Sequence, residues 1–482
     1  MSAAAGAGGI SAALEAARTA LAGTPAWLVG GAVRDRHRAL ATADLDVIVD
    51  GDPAQAARAV ARAGKPAACF ALSEEFGSWR VLARDGSWQI DLEPLRGGSL
   101  EQDLRMRDFT VNAIAEPLAG GEAIDPLGGL EDLRAGRLRM AGARAFADDP
   151  LRVLRLARVA IELDLAVEPE TARAARAAAP ALADVSAERV FAELRRILAC
   201  ERARQGLEML EKLAASAVVL PELGALHGVE QNRFHHLDVH EHTLEVLDRA
   251  IELTEPARAG TEIAAAIAPH GEAVAAFLAE PLADGMSRGE ALRWGALLHD
   301  AAKPLTRAVR PADGRVTFVG HDVRGAELAR SLLTRLRTSE RLRAHVAALA
   351  RHHLRLGFLV HEPQPLSRRA VYGYLRACSP VEVDVTLLSI ADRLATRGER
   401  AQEAIDAHLA LARRMLADAL RWHEDGPAPA LVRGDELAAE LGIELGPQVG
   451  ELLDGLAEGQ YAGELRTREQ ALAYARAQLR AG

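Results

Sequence analysis

Cysteine is scarce in this 482-residue chain, and the three present, Cys69, Cys200 and Cys378, are odd in number and unpatterned. No disulfide framework is built from such a set, which points to reduced thiols in a cytoplasm. Aromatic residues make up only 4% of the chain, and no apolar run reaches membrane-spanning length, so no membrane partner is expected. The Ala/Gly-rich N-terminus lacks the basic start and long apolar block of a secretory signal. Two phosphate-binding fingerprints are missing as well: there is neither a G-x-G-x-x-G loop nor a G-x-x-x-x-G-K-[ST] loop. Positive charge is not in excess either. A net charge of −10 argues against a protein that coats nucleic acid indiscriminately, although it leaves room for a local basic groove.

Alanine, leucine and arginine dominate what remains, and 49% of residues are apolar. That composition predicts a mostly helical protein with ample core, and the length predicts roughly three domains. The chain is organised around Ala26-Trp27-Leu28-Val29-Gly30-Gly31-Ala32-Val33-Arg34-Asp35 and the following Asp44-Leu45-Asp46-Val47-Ile48-Val49. The pattern is a short strand, a Gly-Gly turn opening a helix, and a second strand. Asp44 and Asp46 alternate with Leu45 and Val47, so both carboxylates project from one face. Paired carboxylates repel, and a divalent cation relieves the repulsion. Gly30 and Gly31 let backbone amides approach phosphate oxygens, with Arg34 one turn on. A lone Asp-x-Asp is more often surface decoration and a lone Gly-Gly only a turn. Together they describe a metal-dependent nucleotidyl-transfer site.

A flexible lead and a helix from Ala12 to Ala22 are expected before this stretch. After it come a helix near Ala54–Ala63 and a hairpin of Trp79–Ala83 with Trp88–Leu92 across Arg84-Asp85-Gly86-Ser87. Asp91 is either a third carboxylate facing Asp44 and Asp46 or a solvent-exposed strand-end residue. In Arg107-Asp108-Phe109-Thr110-Val111-Asn112, Arg107 can meet a triphosphate and Asp108 can accept from a ribose hydroxyl; a surface ion pair before a buried helix is the plainer alternative.

Asp148-Asp149-Pro150-Leu151-Arg152 reads as a helix start with proline in the first position. Arg152, Arg155 and Arg158 then share a face, either as a solvated stripe or in base recognition. A carboxylate at Asp149 accepting from an amino group, with Arg152 donating to the adjacent ring nitrogen, suits cytosine and adenine alike. Uracil and guanine present the opposite pattern and leave both groups unpaired, at a cost of roughly 1–3 kcal/mol each.

The C-terminal half carries His242, His299-Asp300, His321, His352-His353 and Asp392 in helix-rich sequence. Any one of these histidines alone is more often a core or surface residue. The ordered set suits a transition metal or magnesium. Between His242 and His299 an Ala/Glu/Pro/Gly-rich stretch, roughly residues 255–289, is expected to be a variable, partly mobile insertion. The tail, with Gly442, Gly446 and Gly450, reads as short helices forming a packing or RNA-gripping module.

With Gly30-Gly31, Arg34-Asp35, Asp44-x-Asp46, Arg107-Asp108, Asp149-Pro150-Leu151-Arg152 and Glu188-Arg189 in this order, the chain resembles class II tRNA nucleotidyltransferases, the bacterial family of CCA-adding enzymes and poly(A) polymerases. The later histidines and Asp392 resemble a fused HD-type phosphohydrolase domain. The resemblance implies an α+β architecture: a polymerase-β-like nucleotidyltransferase head (25–145), a helical neck binding RNA and nucleotide (146–222), a helical HD domain (223–425) and a helical tail (426–482). It further implies Mg2+ at Asp44 and Asp46, nucleotide contacts from Gly31, Arg34, Arg107, Asp108, Asp149, Arg152 and Arg155, and CTP, ATP and the tRNA 3′ end as partners. At the HD site it implies Ni, Mn, Fe, Co or Mg. Two departures stand out: Asp148-Asp149 replaces the family's usual Glu-Asp, and the stretch from Asp91 to Leu104 is short, as in CC-adding members. The rivals are a poly(A) polymerase and an HD phosphohydrolase with a degenerate RNA-binding head.

Overall fold

Six short strands form the sheet of the N-terminal unit in a computed structural model of the chain, in the order β3-β4-β5-β2-β1-β6. They are β1 (Ala26–Val29), β2 (Asp44–Val49), β3 (Ala67–Ser73), β4 (Ser78–Ala83), β5 (Gln89–Pro94) and β6 (Ala115–Pro117). Only β2 and β5 run parallel; the remaining neighbours are antiparallel. The structure describes residues 3–40, 44–64, 67–73, 77–231, 236–254, 261–397 and 401–481. It divides into two units, Met1–Val219 and Leu220–Gly482.

Period-two alternation settles the two faces of the sheet. Leu45, Val47, Val49, Val81, Ala83, Ile90 and Leu92 are buried in one core with Ala13, Ala17, Ala56, Ala57 and Val60. Those last residues belong to α1 (Ala3–Ala20) and α3 (Pro53–Ala63), with α2 (Gly31–His37) between them in the chain. Asp52 caps α3 by accepting from the Ala54 amide at 2.8 Å, and Pro53 begins it. The acidic side chains of β2 and β5 are thereby turned to the opposite face. The first helix starts at Ala3, well before the expected Ala12, because an alanine-rich segment keeps its helix propensity in spite of three glycines.

Helices Arg152–Leu163, Pro169–Ala178, Ala187–Ala199 and Ala203–Lys212 are the longer ones that follow the sheet in this unit. Pro150 lies in the turn ahead of the first of these rather than in its first position: the amides of Arg152 and Val153 bond back to the carbonyls of Asp149 and Pro150, and regular helix begins at Arg152.

In the second unit, helices Val239–Thr254, Arg288–Leu298, Glu382–Ala395 and Ala401–Asp425 contribute to one large apolar core. Part of the expected insertion, 255–260, lies outside the described residues. From 261 onward the segment is no mobile excursion. It forms helices Thr261–Ile267 and Gly271–Leu278 and a hairpin, and Ile263, Ala266, Ile267, Val274, Phe277 and Leu278 are buried in that same core. Its spaced apolar residues bury against neighbours, which outweighs the loop-like composition around them. The tail folds as helices Gly434–Leu441, Pro447–Ala462 and Arg468–Ala481 around Leu437, Val449, Leu456 and Leu472. Gly442 and Gly463 end two of these helices with positive φ.

Candidate active site and metal centre

β2 and β5 are parallel, with Asp46 opposite Asp91 and Ile48 opposite Glu93. Asp44, Asp46, Asp91 and Glu93 therefore share the sheet face away from α1 and α3. Burial raises the Asp46 carboxyl from its ordinary 3.8 to about 6; Arg107 opposes the rise, and Glu93, Asp91 and Asp44 add to it. Asp91 is on the acidic face, yet it is already held: Arg80 of β4 donates to both of its oxygens at 2.7 Å. Neither Arg80 nor Glu93 stood out in the sequence, because only the non-local pairing of β2, β5 and β4 brings them to Asp46.

Gly30 ends β1 with φ +72° and is packed so closely that a Cβ there would lie 2.9 Å from Asp46 Oδ2 and 3.4 Å from Arg107 Nη1. Glycine is required on both counts. Arg107, mostly buried, lies 3.6 Å from Glu93 and 3.5 Å from Asp103. Gly31 opens the helix Gly31–His37. Arg34 holds Asp35 through two nitrogens and donates to Asn112 Oδ1 at 2.7 Å. Asn112 in turn donates to Asp108 Oδ1, which also accepts from the Phe109 amide. Arg155 sits 3.0 Å from the other Asp108 oxygen. Burial would raise the Asp108 carboxyl, but Arg155, Asn112 and the Phe109 amide outweigh it and hold the group below its ordinary value.

The expected arginine stripe divides into three roles. Arg152 donates to the backbone carbonyls of Met106, Arg107 and Ala145. Arg155 belongs to the Asp108 network, and Arg158 is buried between Glu193 at 2.5 Å and Glu162 at 2.6 Å. Asp149 is paired with Arg189 at 2.8 Å. Arg152 and Asp149 stay within one turn of each other, joined by the Arg152 amide to the Asp149 carbonyl, while their side chains keep separate partners.

The donor set of the head fits a hard divalent cation: four carboxylates on one face, one of them kept from ionising readily by burial and then by its acidic neighbours. Among the described residues, no three head carboxylates converge within 4.8 Å, whereas two groups in the second unit do. These are His242, His299 and Asp300, and Asp300, His321 and His353, with Asp300 common to both. His242 Nε2 also lies 3.1 Å from Asp392. His299, His321 and His353 each place Nδ1 within 2.8 Å of a backbone carbonyl, turning Nε2 toward the shared carboxylate. That is how imidazole ligands are oriented for metal. Asp300 Oδ1 and His299 Nε2 are buried without a hydrogen bond, as atoms awaiting a cation would be. Burial and then His299 and the neighbouring His321 depress the His353 imidazole to about 4.

His352 does not join them. Successive helical residues are turned about 100° apart, so while His353 faces inward, His352 accepts from Arg355 Nε at 2.9 Å. Lys303, not singled out by the motifs, lies 2.6 Å from Asp300 Oδ2 and donates to Gln231. Its position one helical turn after Asp300 was the available signal. A cavity of about 600 Å³ opens over Asp300, His321, His353 and Asp392, with Lys303, Arg310, Arg315 and Arg393 among its lining residues.

Among the described residues no helix is long and apolar enough to cross a membrane. The poly A polymerase head domain model matches residues 26–139, the probable RNA- and SrmB-binding site of polymerase A matches 164–226, and the HD domain model matches 239–397. The chain is 39% identical to an A-adding tRNA nucleotidyltransferase of Deinococcus radiodurans, covering 93% of this chain and 94% of that protein. It is 34% identical to a CC-adding tRNA nucleotidyltransferase of Thermus thermophilus, over 93% and 92% of the two chains. In fold it is similar to a CCA-adding enzyme in an apo form, with TM-score 0.62 at 19% identity over 97% and 93% of the chains. It is also similar to a Thermotoga maritima CCA-adding enzyme complexed with tRNA, with TM-score 0.58 at 20% identity over 96% and 94%. This chain belongs to the tRNA nucleotidyltransferase family, with a nucleotidyltransferase head followed by a helical HD domain.

Proposed function

We propose that this enzyme adds C, A or both to the 3′ end of tRNA from CTP and ATP, without a nucleic-acid template and with release of pyrophosphate, in the cytoplasm. The observation that carries the reading is the row of carboxylates around Asp46, closed on one side by Gly30 and Arg107. In this reading residues 25–145 act as the head, 146–222 as the neck, 223–425 as the HD domain and 426–482 as the tail. Asp44 and Asp46 hold magnesium, which when bound supplies the Lewis acidity for a 3′-hydroxyl to attack an α-phosphate. Gly30 and Gly31 let the triphosphate approach the backbone, and Arg107 meets its charge. Arg34 acts through Asn112 to fix Asp108, which accepts from the ribose. Asp149 and Arg152 read the amino group and ring nitrogen common to C and A; Arg189 shields the Asp149 carboxylate until a base replaces it.

Product length decides the nucleotide. The protein is incubated with tRNAs ending before the first C, after CC, and complete, with CTP and ATP supplied separately and together. Addition of one to three nucleotides supports the reading. Long A-tracts would make the enzyme a poly(A) polymerase.

The histidine cluster supports a second activity on the same chain, a metal-dependent phosphohydrolase. The residues His242, His299, Asp300, His321, His353 and Asp392 would hold divalent metal, with nickel, manganese, iron, cobalt or magnesium as candidates. Phosphatase and 2′,3′-cyclic phosphodiesterase assays with nickel or manganese, on the wild type and His299→Ala, test it; equal activity of the two would remove this reading.

A further inference from the structure

The acidic face of the head sheet continues past the acids. Register runs from Asp46 on β2 to Asp91 on β5, from Asp91 to Arg80 on β4, and from Arg80 to Phe70 on β3. The four side chains form one row across the sheet. Neighbouring strands lie about 4.8 Å apart, which places Phe70 roughly 14 Å from Asp46, at the sheet edge. Phe70 is 45% exposed, and Leu72, beside it at the irregularity between Ala71 and Ser73, is equally exposed. The core takes no part in holding them: α1 and α3 cover the other face, where Val81 and Ala83 are buried.

Isolated exposed apolar residues are ordinary. An exposed aromatic ring in register with a transfer site is not, and the layout limits what it can serve. Of the candidate nucleotide-binding groups, Gly30 follows β1 and Asp108 precedes β6, on the β1–β6 side of Asp46, and Arg107 reaches no further across the sheet than Glu93 of β5. The β4–β3 side is left for the other reactant, whose 3′-hydroxyl must reach Asp44 and Asp46. Arg80 stands in the row between the acids and the ring, fixed there by its two bonds to Asp91.

We propose that Phe70 is a stacking platform for a base in the single-stranded 3′ end of the RNA, a few nucleotides upstream of the reacting hydroxyl. The proposal rests on the nucleotidyl-transfer reading of the head. Stacking on an aromatic ring tolerates every base, so the platform positions RNA without selecting sequence.

The experiment compares wild type, Phe70→Ala and Phe70→Trp in steady-state incorporation, varying tRNA at saturating CTP and ATP and then each nucleotide at saturating tRNA. Thermal unfolding and light-scattering mass are recorded for each protein. Phe70→Ala is expected to raise KM for tRNA roughly tenfold, to leave kcat and both nucleotide KM values within about twofold, and to keep the mass of the wild type; Phe70→Trp is expected to restore tRNA KM. An unchanged tRNA KM would overturn the proposal, as would a loss falling on nucleotide KM or a change of oligomeric mass. Failure of the wild type to incorporate any nucleotide would strike the transfer reading itself, whereas normal Asp44-dependent incorporation with unaltered tRNA KM in Phe70→Ala strikes the platform alone.

Discussion

Replacing Asp46 with asparagine should abolish nucleotide incorporation and, in the absence of divalent cations, make the protein more stable. The Asp46 carboxyl is raised from 3.8 to about 6, chiefly by burial and by the neighbouring Glu93, Asp91 and Asp44 against the pull of Arg107. Its folded-state value lies above its unfolded one, so the folded state binds the proton more tightly, and the wild type loses stability as pH rises through that window. The gap is about two pH units, and at 1.36 kcal/mol per unit the ionised carboxylate costs roughly 3 kcal/mol at neutral pH. For a unit of this size that corresponds to about 6–12 °C in the unfolding transition. Calorimetry with EDTA should find Asp46→Asn and wild type alike at pH 4 and separated by this amount at pH 7.5. Added magnesium should narrow the gap by stabilising only the wild type, by RT ln(1 + [Mg]/Kd). A separation that does not change between pH 4 and pH 7.5 would refute the reasoning, and so would equal stabilisation of both proteins by magnesium.

Other substitutions probe separate parts of the account. Arg158→Met leaves Glu193 buried without its 2.5 Å ion pair, and chemical denaturation should show a loss of about 3–5 kcal/mol. Gly30→Ala forces a positive φ on alanine and a 2.9 Å approach to Asp46 Oδ2; incorporation should collapse while far-ultraviolet circular dichroism stays unchanged. Arg152→Ala should raise UTP misincorporation about tenfold relative to CTP, and unchanged discrimination in competition assays would remove Arg152 from base reading. His353→Ala should lower metal content measured by elemental analysis, whereas His352→Ala should leave it as in wild type, since only His353 faces Asp300.

What could be read in advance depended on how local the determinants were. Asp44 and Asp46 were legible because strand alternation alone places them on one face, and the hairpin of β4 and β5 because a short polar turn joins two strands. Gly30 was legible as a close approach, although only the fold shows that Asp46 is what approaches it. Glu93 was not, since its place beside Asp46 depends on a parallel pairing between strands about 45 residues apart, and Arg80 gains its meaning only once Asp91, its hairpin partner, is brought to Asp46 by that pairing. Asp91 kept two readings open, a third carboxylate and a solvent-exposed strand-end residue; it lies mid-strand on the acidic face, bonded to Arg80 and mostly covered. In the second unit the order of histidines sufficed to propose a metal centre, but adjacent His352 and His353 are separated only by helical rotation. The segment from 261 to 289 misled by composition, because a few well-spaced apolar residues are enough to anchor it in the core.

The central claim is that the carboxylates of the head, and not the histidine cluster, carry out nucleotide addition. Single-turnover incorporation of CTP and ATP into tRNA lacking its 3′ end, followed in wild type, Asp44→Ala and His299→Ala, tests it most directly. The account predicts no extension by Asp44→Ala and wild-type rates for His299→Ala. Normal extension by Asp44→Ala, or its loss in a folded His299→Ala protein, would contradict it.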